Sequence, residues 1–269
     1  MIHSPSSVMS TVTRMTFKVD YTPRQITTKR PFFGTGWPVR NPSGTCLVER
    51  SQYRRQRYVW LACTQLGPPY DASDQKRIIR EWCVFFRKES PIRELALRSR
   101  VSPELFEAVC HHERLTRLHV KWGPVVDLTA LERLRQLEGL SLGTTSVEDI
   151  SPIAKLPNLT FLQLDNLNRV HDFGALSHAR RLEFLEIEGY PQGPQKIRVR
   201  DLAFALDLKN LRALRIGYVI VDHFDISPLL KLRKLEYLDL PAIAQSDRDR
   251  LLSALPKLRY GNVAKPHGE

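Results

Sequence analysis

LEGLSLGTTSVEDISPIAKLPN, residues 137–158, is the stretch that decides the fold of this chain. Its opening phrase has five further copies: LTRLHV from Leu115, LTFLQL from Leu159, LEFLEI from Leu182, LRALRI from Leu211 and LEYLDL from Leu235. The six copies follow one another at intervals of 22, 22, 23, 29 and 24 residues. Repeats of about 20 to 45 residues indicate a solenoid, in which each unit buries its apolar side only against its neighbours.

Two consecutive units agree at seven apolar positions. These are Leu137, Leu140, Leu142, Val147, Ile150, Ile153 and Leu156, which match Leu115, Leu118, Val120, Val125, Leu128, Leu131 and Leu134. The pattern resembles the short, 22-residue subclass of the leucine-rich repeat family, seen in internalins and phosphatase regulators. The resemblance implies an α/β solenoid of about eight repeats, with a parallel sheet on the concave side and a mixed helical and irregular convex side. It departs from the family at the usual turn asparagine, where Gly123 and Thr145 stand and only Asn168 offers a match.

The repeats extend beyond the clearest copies. IRELAL from Ile92 and the degenerate LRYGNV from Leu258 predict a solenoid over residues 92–263, followed by a tail over 264–269. Asp74–Lys88 has helical apolar spacing, with Ser73 or Asp74 as N-cap, so we expect residues 73–91 to form an N-terminal capping helix. Ser102-Pro103 and Ser246–Leu255 predict two convex helices.

The net charge of +12 is concentrated near the N-terminus, where residues 1–60 carry ten Lys/Arg and two acids. Residues 111–269 carry 23 Lys/Arg and 20 acids. We expect a disordered tail over 1–10 and a basic segment over 11–72, with strands at Thr16–Tyr21 and Tyr58–Cys63. The basicity therefore belongs to the N-terminal segment and not to the repeats.

Side chains between the leucines point to solvent on the concave face, because they alternate along a strand. Aromatic and charged residues concentrate there, as they do at protein-binding hot spots. We predict a partner-binding site without cofactor or metal, made of Phe161, Asp165, Phe184, Glu186, Glu188, Arg215, Tyr237, Asp239 and Tyr260.

Three alternatives to this site stay open. The aromatic rings could stack on one another and bind nothing. The basic N-terminal segment could dock on the acids of its own concave face. The insertion near Tyr190–Lys196 in the 29-residue unit, rich in Pro and Gly, is expected to form a projecting loop that could carry contacts.

No motif for catalysis is found. The spacing of His111, His112 and His119 does not suit a metal, and no phosphate loop or nucleophile motif is present. Cys46, Cys63, Cys83 and Cys110 are expected to be reduced, because no secretory signal is evident.

We therefore expect a monomeric, cytoplasmic, non-enzymatic protein that binds a protein partner, with no membrane span. It could act as an inhibitor, such as a bacterial immunity protein, or as an effector that binds a host protein. The rival is a nucleic-acid-associated protein, in which Arg54, Arg55, Arg57 and Tyr58 of YRRQRYVW contact phosphates and bases.

Overall fold

The computed structural model describes residues 44–192 and 196–264. The expected tail over 1–10, the strand at Thr16–Tyr21 and nearly all of the C-terminal tail lie outside the described residues. So does the centre of the insertion, residues 193–195.

An eight-stranded parallel sheet runs through the described part, and its in-register pairing confirms the predicted solenoid. Its strands, in spatial order, are β1 (Tyr58–Leu61), β2 (Glu94–Arg100), β3 (Arg117–Trp122), β4 (Gly139–Gly143), β5 (Phe161–Asp165), β6 (Phe184–Glu188), β8 (Ala213–Gly217) and β10 (Tyr237–Asp239). A backbone bridge from Tyr237 to Tyr260 extends the pairing to the degenerate last copy.

The leucines of each unit form one continuous core. Leu118, Leu140, Leu162, Leu185 and Leu214 stack in register across neighbouring strands, and each is fully buried. Full burial of a leucine stabilises a fold by about 1.5–3 kcal/mol. The repeated leucines therefore hold the units together.

Short helices and 3-10 turns cover the convex side. The helices are α1 (Ala72–Phe86), α2 (Pro103–Cys110), α3 (Ser151–Ala154) and α4 (Gln245–Ala254). The 3-10 turns are Arg50–Gln52, Thr129–Arg133, Gly174–His178, Ala203–Asp207 and Leu229–Lys231. Helix α2 begins as predicted, because the Ser102 hydroxyl accepts a hydrogen bond from the Leu105 N–H and Pro103 occupies the first turn.

Aspartates enter the convex turns in a second periodic pattern. Each accepts a hydrogen bond at Oδ1 from the backbone N–H two residues later, at 2.7–2.9 Å; they are Asp127, Asp149, Asp172, Asp201 and Asp225. Such a bond fixes the turn locally. Aspartate thus orders each of these five turns, at a position for which the sequence analysis made no prediction.

The sheet starts one strand earlier than the sequence suggested. Strand β1 pairs with β2 in parallel, with Tyr58 opposite Glu94, although we had placed the start of the repeats at Ile92. Helix α1 consequently connects two strands of the sheet, as the convex element of the first unit. Its N-cap is Asp71, whose carboxylate accepts from the N–H groups of Ser73 and Asp74, and not Ser73 or Asp74.

A second, two-stranded parallel sheet is formed by β7 (Ile197–Asp201) and β9 (Val219–His223). Strand β7 begins where the predicted loop ends, and Ile197 and Val199 are buried. Tyr190 and Pro191, before the undescribed residues, are exposed. The additional length of the 29-residue unit therefore supplies a strand as well as a loop.

Candidate functional site

Three rows of side chains cross the concave face of the eight-stranded sheet. The predicted register is confirmed between β5 and β6, where Phe161 stands opposite Phe184, Gln163 opposite Glu186 and Asp165 opposite Glu188. These three pairs belong to rows made of the third, fifth and seventh residues of each unit, counted from its first leucine. The predicted site residues lie in these rows. Because each row crosses the strands at right angles, residues about 22 positions apart become neighbours.

Phe161 and Phe184 stack face to face, with ring centroids 4.0 Å apart and an angle of 5° between their planes. Phe184 is 5% exposed and Phe161 is half-buried. The stacking that we had considered as an alternative to binding is therefore present. It leaves Phe161 as the more accessible ring of the pair.

Arg215 is the centre of the predicted charged cluster. Its guanidinium contacts Glu188 at 3.0 Å, Asp239 at 3.7 Å and Glu186 at 3.9 Å. Asp239 also accepts a short hydrogen bond from the Tyr237 hydroxyl. Tyr237, Asp239 and Arg215 thus form one connected group, and Tyr260 lies on the adjacent bridge.

Carboxyl groups outnumber cations in this part of the sheet. The three rows over β5, β6, β8 and β10 contain Asp165, Glu186, Glu188 and Asp239 against the single cation Arg215. Burial raises the pKa of Glu186 to about 7, although Arg215 opposes the shift. Burial also raises the pKa of Asp165 and of Glu188. Several negative charges are thus held together with incomplete compensation.

Glu186 is more buried than the sequence suggested. It is 6% exposed, although alternation along the strand predicts a solvent-facing side chain. Its neighbours on both flanking strands cover it, since Gln163 donates to Glu186 Oε1 at 3.3 Å and Arg215 approaches from the other side. The expectation that Glu186 is an exposed contact residue is therefore wrong in this respect.

A chain of hydrogen bonds joins the fifth-position residues of four consecutive strands. His119 Nδ1 and Ser141 Oγ are 3.0 Å apart, and Ser141 Oγ donates to Gln163 Oε1 at 2.9 Å. Gln163 Nε2 then donates to Glu186. His119, Ser141 and Gln163 are not among the residues that the sequence predicted for the site. The sequence signal was their shared fifth position.

The opposite end of the concave face is basic and aromatic. The Arg98 guanidinium lies over the Trp60 ring, 4.9 Å from its centroid, and Lys121 lies on the neighbouring strand β3. Arg117 pairs with Glu94 at 3.8 Å. Of the predicted nucleic-acid residues, Arg54 and Arg55 are exposed before β1 and Tyr58 begins that strand.

Three of the cysteines and His112 are buried. Cys63, Cys83 and Cys110 are buried, and all four cysteines are free thiols. Burial raises the pKa of Cys63 to about 12 and of Cys83 to about 11, which opposes formation of a reactive thiolate. His112 is buried, with Nε2 3.0 Å from Ser90 Oγ. Within residues 44–192 and 196–264, no group of three potential metal ligands is found.

Two solved structures share this fold. An internalin (inlF) from Listeria monocytogenes aligns with a TM-score of 0.54 and 17% identity, over 78% of this chain and 55% of that protein. An internalin C2 (inlC2) from the same species aligns with a TM-score of 0.50 and 24% identity, over 64% of this chain and 71% of that protein. This chain therefore spans little more than half of the first internalin.

The likeness at these identities shows the leucine-rich repeat fold. No protein-family model and no curated sequence matches the chain. None of the helices in the described part is both long and apolar enough to cross a membrane.

Proposed function

We propose that this protein is a non-enzymatic interaction module that binds a protein partner on the concave face over β5, β6, β8 and β10. One observation carries the proposal. A stacked aromatic pair lies beside three carboxyl groups that share the Arg215 guanidinium. Aromatic side chains surrounded by charge are typical of binding hot spots.

The charge of this region indicates the chemistry of the partner. Burial raises the pKa values of Asp165, Glu186 and Glu188, so additional positive charge beside them would favour their ionised forms. A lysine or arginine of the partner supplies that charge. The Phe161 ring can also receive the cation on its face.

Site-specific photo-crosslinking tests the position of the interface. Benzoylphenylalanine replaces Phe161 on the concave face, Val84 on the exposed surface of α1, or Tyr190 before the insertion. We expect a protein crosslink from position 161 and none from position 84. A partner that crosslinks from position 84 or 190 but not from 161 refutes the concave site.

Binding by substituted proteins tests the chemistry. We expect the double variant Phe161→Ala/Glu188→Gln to bind the captured partner about 30-fold more weakly, which corresponds to a hot spot worth about 2 kcal/mol. Tyr190→Ala is the matched control, because Tyr190 is 53% exposed and lies outside the cluster. Equal affinity of the double variant and the control contradicts the proposed anchors.

The finer roles are part of the same proposal. A partner that is a toxin of the producing cell would support the immunity role, and a host protein would support the effector role. The nucleic-acid alternative rests on exposed Arg54 and Arg55. It requires binding to a generic duplex that strengthens as salt is lowered, so the absence of binding at low salt eliminates it.

A further inference from the structure

Two cations on β2 and β3 have no carboxylate partner in the described part of the chain. Arg98 contacts the Trp60 ring, and Lys121 is exposed. The neighbouring Arg117 does have an acid, Glu94 at 3.8 Å, and Arg215 has three. Within residues 44–192 and 196–264, no acid therefore compensates the positive charge of Arg98 and Lys121.

His119 lies on β3 beside these cations, and the hydrogen-bond chain fixes the position of its proton. Above pH 7, where Glu186 is mainly ionised, its carboxylate can only accept, so Gln163 turns Nε2 towards it and Oε1 towards Ser141. The Ser141 hydroxyl donates its one proton to Gln163 Oε1 and therefore accepts a hydrogen bond from His119 Nδ1. His119 consequently carries its proton on Nδ1, and Nε2 holds a lone pair.

The Nε2 atom of His119 is buried and has no hydrogen-bond partner among the described residues. A buried polar atom without a partner costs about 1–3 kcal/mol. Burial, and then the charges of Arg98 and Lys121, lower the pKa of His119 to about 4. Strand β4 adds only the Ser141 hydroxyl to this environment, so no described acid opposes the two cations there.

An anion in this region would satisfy three groups at once. It would compensate Arg98 and Lys121, and its field would favour the protonated imidazole. Nε2 would then carry a proton and donate it to the anion as a charge-assisted hydrogen bond. A cation or a neutral group would leave the two positive charges uncompensated.

We propose that Arg98, His119 and Lys121 form an oxyanion site at the β2–β3 end of the concave face, which takes an acidic side chain of the protein partner. The oxyanion site extends the proposed function. It depends on that function only in the assignment of the oxyanion to a protein partner. The concave face would then have a cationic end over β2–β3 and an acidic end over β5–β10. The matching partner segment carries acidic and basic side chains at separate positions.

NMR titration of the histidine side chains in the full chain tests the site directly. The probes are inorganic phosphate, a tetraglutamate peptide and a tetralysine peptide. We expect His119 to begin as the Nδ1–H tautomer. Phosphate and tetraglutamate should raise its pKa by at least one pH unit, whereas tetralysine should not. An Nε2–H tautomer, or an unchanged pKa at saturating phosphate and tetraglutamate, overturns the proposal.

Variants then localise the binding of the anion. We expect Lys121→Gln to lower the affinity for tetraglutamate about tenfold. Lys155→Gln, on the convex side, should leave that affinity unchanged. Lys121 is exposed, so the variant should keep the wild-type unfolding midpoint. Equal affinity of Lys121→Gln and wild type refutes the site.

A single-stranded oligonucleotide decides the class of macromolecule. Tighter binding of the oligonucleotide than of tetraglutamate, lost in Lys121→Gln, overturns the acidic-protein assignment in favour of nucleic acid. The crosslink from position 161 is a separate readout. The proposed function can therefore fail while the oxyanion site stands, and the reverse also holds.

Discussion

Replacing Glu186 with glutamine should stabilise the protein, and more so as the pH rises. Glu186 is 6% exposed, and its pKa is raised from an ordinary 4.5 to about 7. The folded state thus binds the Glu186 proton more tightly than the unfolded state does. The protein is therefore destabilised progressively as the pH rises from 4.5 to 7, because Glu186 is still protonated in the folded state while it ionises in the unfolded state. Above pH 7 Glu186 is ionised in both states, and the loss of stability is complete.

The pKa shift sets the size of the effect. At about 1.4 kcal/mol per unit, ionisation of Glu186 costs about 3 kcal/mol at pH 8 and about 1 kcal/mol at pH 5. Glutamine keeps the shape and can still accept from Gln163 Nε2, while Arg215 retains Glu188 and Asp239. We therefore expect Glu186→Gln to raise the free energy of unfolding by about 2 kcal/mol more at pH 8 than at pH 5.

Urea unfolding of wild type and Glu186→Gln at the two pH values measures this difference. Glu89→Gln is the control, because the Glu89 side chain is 87% exposed and its nearest cation is 3.9 Å away. We expect the control to change stability by less than about 0.5 kcal/mol at either pH. A Glu186→Gln protein that is less stable than wild type at pH 8, or equally changed at both pH values, refutes the reasoning.

Two further substitutions test the packing of the repeats. Leu162→Ala should lower the free energy of unfolding by about 3 kcal/mol, because Leu162 is fully buried. Leu206→Ala should lower it much less, because Leu206 is 37% exposed. Similar losses in the two variants would contradict the conclusion that the buried leucines hold the units together. Gly143→Ala should cost about 1–3 kcal/mol, because its Cβ would lie 2.2 Å from the Lys121 carbonyl oxygen, whereas Gly67→Ala meets nothing within 4 Å. Thermal unfolding of both alanine variants checks this, and a Gly143→Ala midpoint no lower than that of Gly67→Ala would show that the backbone contact is absent.

Much of the fold was readable because its information is local and repeated. The leucine phrases predict the strands, and their alignment predicts which residues stand opposite one another, as Phe161 and Phe184 do. A strand at Tyr58–Cys63 is predicted by the sequence, and β1 (Tyr58–Leu61) confirms it. Its place in the repeat sheet was not predicted, because YVWLAC lacks the full leucine phrase, and that place is shown by the pairing of β1 with β2.

The aspartates of the convex turns were a missed signal of a different kind. Asp127, Asp149, Asp172, Asp201 and Asp225 recur in step with the leucines, so the sequence did contain them. Their role became evident from the hydrogen bonds to the backbone two residues later. The asparagine that is usual in the family belongs to another position of the unit, so the family pattern does not point to these aspartates.

The sequence by itself determined the solenoid, its register and the rows of side chains on the concave face, because apolar periodicity is a property of the chain alone. The tertiary structure decided which of those side chains are buried and which charges are compensated. Burial of Glu186 depends on Gln163 and Arg215, which are 23 and 29 residues away. The proton on His119 depends on a chain of bonds through Ser141 and Gln163. Such effects arise from distances across strands, which are fixed only when the repeats stack.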